Sequence, residues 1–302
     1  MATRQKKRPG KDPSYENLKA DYYPVQRIIN IGSSGSVVGQ LQYCDVAQML
    51  SVVNHRLYRQ GKTYEVKVDL AVESGAGAPT QIDVFALKDT WMTQKAWQLA
   101  RATYERSMEQ ERTQVTNGGA RWEDFRVASG VSGVHGMEPF TYSVGSVVGS
   151  PDNAGEHFLS QIVLADGTTT RTFSWGATGG SSLGILEEYD KSGDTQTDTV
   201  PGQGAYAGVE DGSNEVSVDA LKLRGRNPPY DTTNMSVRNF VRVASLTRDG
   251  TGSQRLSTGM FNAPCGIVII KTSNPNHTLT EELTLTVKAG KYKGVSAHNM
   301  GV

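Results

Sequence analysis

Residues 63–72, Thr-Tyr-Glu-Val-Lys-Val-Asp-Leu-Ala-Val, alternate apolar and polar side chains with a period of two. That spacing gives a strand one dry face and one wet face, and it spreads apolar groups all round a helix, whose faces repeat every 3.6 residues. Gln81–Leu87 repeats the pattern after the Gly/Pro-rich stretch Ser74–Pro79, so the two segments predict a hairpin. Cys265–Ile270 is a continuous apolar run, as for a strand buried on both faces, and Leu279–Lys288 alternates again. Weaker strand patterns occupy Phe140–Val148, His157–Leu164, Thr168–Trp175, Glu215–Leu223 and Val237–Leu246, about nine strands in all. Glycine supplies 33 of 302 residues, above the typical ~7%, which predicts many tight turns between short strands.

One segment breaks the pattern. Asp89 and Thr90 can cap a helix running from Trp91 to about Thr113, rich in good helix formers. Trp97, Ala100, Tyr104 and Met108 fall on one face for core packing, and Arg101 can pair with Glu105 on another. The expected fold is therefore an all-β sandwich with one long helix inserted after the second strand. The stretch 165–214 is polar and loop-rich and is expected to face solvent. The expected organisation is a flexible arm over residues 1–24 and one β-sandwich domain over 25–302. No apolar run approaches the roughly 18 residues of a membrane helix, and the cationic opening predicts no secretory leader. Cys44 and Cys265 are too few for a disulfide framework and are expected as separate buried thiols.

Charge is unevenly spread. Arg4, Lys6, Lys7, Arg8 and Lys11 precede the first acid, Asp12, and with 31 basic and 31 acidic residues overall the remaining chain is acidic by five. Pro9, Gly10 and Pro13 keep this arm from forming a helix. Such an arm suits nucleic acid or nuclear import, and it can neutralise at most about five phosphates. A second basic group, Arg224, Arg226, Arg238 and Arg242, could add to it or pair with acids. Arg238 and Arg242 fall on one side of a strand.

Catalytic patterns are scarce, and the chain is not expected to be an enzyme. No phosphate-binding loop, dinucleotide fingerprint or His-Glu-x-x-His occurs, and the five histidines are scattered. Gly180-Ser181-Ser182-Leu183-Gly184 matches the serine elbow of hydrolases, with Asp190 or Asp211 and His277 following in order, but the alternating βα units of that fold are missing. An acidic stretch from Glu187 to Asp219 lacks the turn glycine and terminal glutamate of a calcium loop. No cofactor is expected, although a Ca²⁺ site between subunits remains an option for those carboxylates.

The basic arm, the β-rich body with an early helix, and the ending Phe261-Asn262-Ala263-Pro264-Cys265-Gly266-Ile267-Val268 … Leu285-Thr286-Val287-Lys288-Ala289-Gly290-Lys291-Tyr292-Lys293-Gly294-Val295 together resemble coat proteins of small icosahedral viruses. The resemblance is nearest to the capsid proteins of circular, Rep-encoding single-stranded DNA viruses. It implies a single jelly roll of about eight strands, self-assembly into an icosahedral shell, and an arm lying against a single-stranded genome. It further implies residence in the virion, and in host cytoplasm or nucleus during assembly, with a host receptor the residues do not name. The alternatives are a β-sandwich glycan-binding or attachment module using loops over 145–215, and a serine esterase using Ser182.

Overall fold

The computed structural model describes residues 24–33, 41–72, 80–114, 122–131, 134–141, 150–151, 157–164, 167–193, 239–248, 254–272 and 283–301. The chain opens with β1 (Ile28–Ser33), β2 (Leu41–Asp45), α1 (Val46–Asn54), β3 (Lys62–Val72) and β4 (Thr80–Leu87). The long helix α2 (Trp91–Gln114) follows, then β5 (Val134–Thr141), β6 (Ser150–Pro151), β7 (Gln161–Val163), β8 (Thr170–Ser174), β9 (Ser182–Gly184) and α3 (Ile185–Gly193). The chain returns as β10 (Phe240–Arg248), β11 (Gln254–Ser257), β12 (Phe261–Ala263), β13 (Ile267–Thr272) and β14 (Leu283–Val287). It closes with β15 (Ala289–Gly290), β16 (Gly294–Val295) and β17 (Ala297–Asn299). Strands dominate, few helices interrupt them, and the sheets curl, as in an all-β sandwich.

The pairing is nested. β1 pairs with β14, β2 with β13, β3 with β11 and β12, and β4 with β10, all antiparallel. β14 also pairs with β3, and β13 with β4, which completes the layers β1-β14-β3-β11 and β2-β13-β4-β10. β5 joins the two layers at one side, antiparallel to β1 and parallel to β2.

The expected hairpin of residues 63–72 with 81–87 does not form, because its two strands lie in different layers. Alternation fixes which face of a strand is buried and leaves open which neighbour supplies its edge. Val66, Val68 and Leu70 of β3 meet Ile82 and Val84 of β4 in one shared core. Each fully buried aliphatic side chain there contributes roughly 1.5–3 kcal/mol. The strand 81–87 is also fourth in the chain, since β1 and β2 precede it, so α2 follows the fourth strand.

A second core lies on the outer side of the β2-β13-β4-β10 layer. Trp97 and Tyr104 of α2 pack with Phe125, Phe173, Trp175 and Ile267, while Val268 and Ile270 of the same strand β13 face the first core. This is why β13 reads as an unbroken apolar run. Arg101 and Glu105 form the expected pair at 2.8 Å, and Thr90 Oγ1 accepts from the Thr93 amide at 3.3 Å. The stretch expected to face solvent is in part interior: Phe173, Trp175, Ile185 and Leu186 are buried. Its residues 165–166 and 194–214, and the expected strand 215–223, lie outside the described residues. Cys44 and Cys265 are free, buried thiols, and burial raises both well above the ordinary thiol range. Among the described residues no helix is long and apolar enough to cross a membrane.

Candidate nucleic-acid interface

Of the cations singled out in the sequence, Arg4, Lys6, Lys7, Arg8, Lys11, Arg224, Arg226 and Arg238 lie outside the described residues. Arg242 is described. It stands exposed on β10, at one end of the strand order, with its guanidinium 3.7 Å from Asp83 of β4. Burial works to raise the Asp83 carboxyl, but hydrogen bonds from Ser245 and Gln81 and the charges of Arg242 and Lys271 hold it below its usual range. Arg242 is thus matched to a carboxylate within its own sheet.

A different group of cations meets at one end of the sandwich. The turn between α1 and β3 carries Arg56 and Arg59, Lys62 opens β3, and the tight hairpin of β15 and β16 carries Lys291 and Lys293. Lys62 Nζ lies 4.0 Å from the centre of the Tyr292 ring, and Lys293 Nζ lies 5.3 Å from it and 5.7 Å from that of Tyr58. The Tyr58 and Tyr292 rings meet edge to face at 6.0 Å. Tyr58 Oη donates to the Lys293 carbonyl at 3.0 Å, and the Arg59 amide donates to Tyr292 Oη at 3.2 Å. Lys293 itself holds a left-handed backbone (φ 51°), and its ammonium donates to the Leu57 carbonyl. Ring faces attract ammonium groups, so the tyrosines pin the lysines in place.

The electrostatic consequence is visible in the ammonium groups. Burial lowers the pKa of Lys293, and the neighbouring charges of Arg56, Arg59 and Lys62 lower it further. Burial lowers Lys62 too, followed by Arg59. Like charges held this close make a standing sink for an anion.

The N-terminal arm attaches here. The Gln26 amide donates to Asn54 Oδ1 at 2.8 Å, and Asn54 Nδ2 donates to the Gln26 carbonyl at 3.1 Å, at the end of α1. Arg27 Nη1 donates to the Gly294 carbonyl at 3.4 Å, in the lysine hairpin. The segment bearing the five arm cations therefore joins the body beside the cationic end.

A buried polar network underlies this end. Asp45 caps α1 by accepting from the Gln48 amide at 3.0 Å, accepts from Gln60 Nε2 at 3.2 Å, and lies 3.8 Å from Arg126 Nη1. Gln60 Oε1 accepts from the Val127 amide at 2.6 Å, and the Gln60 amide donates to Asp124 Oδ2 at 2.7 Å. Burial raises the carboxyls of both Asp45 and Asp124, against the pull of Arg126 on each. Asp124 Oδ1 in turn lies 3.9 Å from Arg59. The core network thus fixes one of the surface cations.

Sequence reading passed over Arg56, Arg59, Lys62 and Lys293, although a signal was present. No acid occurs between Asp45 and Glu65, and none follows Glu282. Two uncompensated basic stretches far apart in the chain are brought together only by the fold.

Ser182 pairs with Thr172 in the ladder of β8 and β9, and the rest of β9 separates it from α3. A hydrolase elbow instead sets the serine on the strand-to-helix turn. His277 and Asp211 lie outside the described residues, as does the acidic stretch beyond residue 193. Among the described residues no three His, Cys, Asp or Glu side chains are grouped to hold a metal ion. No protein-family model, no curated protein and no solved structure matches this chain.

Proposed function

We propose that this chain is a structural coat subunit that assembles with copies of itself into an icosahedral shell around a single-stranded genome. The observation that carries the reading is that Gln26 and Arg27, just downstream of the basic arm, are held beside the cationic end of the body, through Gln26–Asn54 and Arg27–Gly294. Arm cations and cluster would then both be available to the genome, and many copies in a shell multiply a contact that is weak in one. Nested pairing of β1 with β14, β2 with β13, β3 with β11 and β4 with β10 supports a jelly roll, an architecture common to viral coats and to lectins. The function asks for no catalytic residue and no cofactor. The virion, and the host compartment in which it assembles, would be its location.

The test is to express the full chain, purify it without nuclease, and combine negative-stain electron microscopy with the A260/A280 ratio. Uniform closed particles with a raised ratio are expected, and deleting residues 1–11 should lower the ratio. Dispersed subunits with protein-only absorbance, persisting when single-stranded DNA and Ca²⁺ are added, would overturn the proposal in favour of a binding module.

A further inference from the structure

Lys293 is fixed where it stands. Gly290 pairs with Gly294 across the hairpin, Tyr292 and Val295 exchange backbone hydrogen bonds at 3.0 Å, and Lys293 between them takes a left-handed backbone. Its half-buried side chain ends beside the Tyr58 and Tyr292 rings, where the ammonium donates to the Leu57 carbonyl. A fully exposed lysine relieves like charge by turning into water, but this one is held near Arg56, Arg59 and Lys62. Among the described residues the carboxylate that acts on it is Asp124, which already accepts from the Gln60 amide at 2.7 Å and lies 3.9 Å from Arg59.

We infer that Lys293 is a modification site, an amine that takes an acyl group from a small anionic donor of the acyl phosphate class. The crowding acts twice. The cations around Lys293 concentrate an anionic donor at the amine. Burial first, and those same cations next, disfavour its ammonium form, so a larger share of Lys293 is the free amine that reacts. The free amine keeps an N–H for the Leu57 carbonyl and leaves its lone pair for the attack. That lone pair bonds to the acyl carbon. The bond from this carbon to the phosphate oxygen breaks with its electrons on phosphate, and the proton shed by nitrogen passes through water to the departing phosphate. The product is an uncharged amide. Lys62 shares the Tyr292 ring, but after burial it is lowered by Arg59 alone. On the proposed function, on which this consequence rests, each acylated Lys293 removes one cation from the genome contact.

The test treats the full chain, stripped of nucleic acid by nuclease, with acetyl phosphate near neutral pH and follows each lysine by peptide mass spectrometry. Exposure alone would favour Lys95 on α2 and Lys291 in the same hairpin, both more exposed than Lys293. The expected result is the reverse, with Lys293 acetylated ahead of Lys291 and about tenfold faster than Lys95, the lower end of what a focused field adds to an anion's local concentration. Arg56→Gln combined with Arg59→Gln should bring Lys293 close to the rate of Lys95, with Lys95 itself unchanged as the internal control. Lys293 reacting no faster than Lys95 in the unaltered chain, which depends on no variant folding, would overturn the inference. A fluorescein-labelled dT10 decamer then reads the consequence, since acetylation should lower its salt slope by about 0.7. Rapid acetylation of Lys293 with dT10 binding unchanged would uphold the modification site and strike the genome contact instead.

Discussion

At His157 the imidazole is half-buried, and its Nδ1 has no hydrogen-bond partner among the described residues. Burial first, and the charge of Arg126 second, lower its pKa to about 4. An unfolded histidine titrates near 6.5. Between those values the unfolded chain binds the extra proton, so the contribution of His157 to stability is full above pH ~6.5 and is lost as pH falls to about 4. The raised carboxyls of Asp45 and Asp124 act in the opposite direction as pH falls. Urea denaturation across pH 4–7 should therefore show a smaller acid loss in His157→Gln than in the unaltered chain, and a ring-proton titration should place His157 near 4. A midpoint near 6.5 would show that the ring is solvated. Nothing in the scattered histidines of the sequence distinguished this one, because its environment comes from residues 31 positions away.

α1 depends on a single cap. Asp45 accepts from the Gln48 amide and also faces Gln60 and Arg126, whose side chain is only 6% exposed. Asp45→Ala removes the cap and strands a buried guanidinium, a loss of about 3–5 kcal/mol in chemical denaturation. Asp45→Asn keeps an acceptor for the cap and should cost less; equal losses would show that the cap adds nothing beyond the charge pair. The helix was legible in principle, since Asp45 with Gln48 three residues on is a capping pattern before an apolar run. Its nine residues follow directly on the strand Leu41–Asp45, with no Gly or Pro between them to announce the change. α2, with a cap, 24 residues and an aromatic stripe, announced itself fully.

For the molecule as a whole, the arm and the cationic end predict binding that is sensitive to salt. Each phosphate neutralised on a single strand contributes about 0.7 to the slope of log K against log salt. Replacing Arg56 and Arg59 with Gln should lower that slope by about 1.4 for a single-stranded oligonucleotide, with the strand pairing unchanged by circular dichroism. An unaltered slope would place the phosphate contacts elsewhere, with the arm as the first alternative.

The sequence by itself determined that residues 63–72, 81–87 and 267–270 are strands, which of their faces are dry, where the long helix lies, and that two thiols stay buried and apart. Those are local properties, written in periods of two and 3.6 and in caps and turns. Only the tertiary structure decided that residues 63–72 and 81–87 stack across a core instead of pairing at their edges. It alone decided that part of the polar stretch 165–214 closes a second core around Phe173 and Trp175. It also decided that Arg56, Arg59 and Lys62 meet Lys293, more than 200 residues away, at the point where the arm joins the body. Alternation gives each strand a face but no partner, and a cation gains its role from the charges around it, which nested pairing of distant strands brings together.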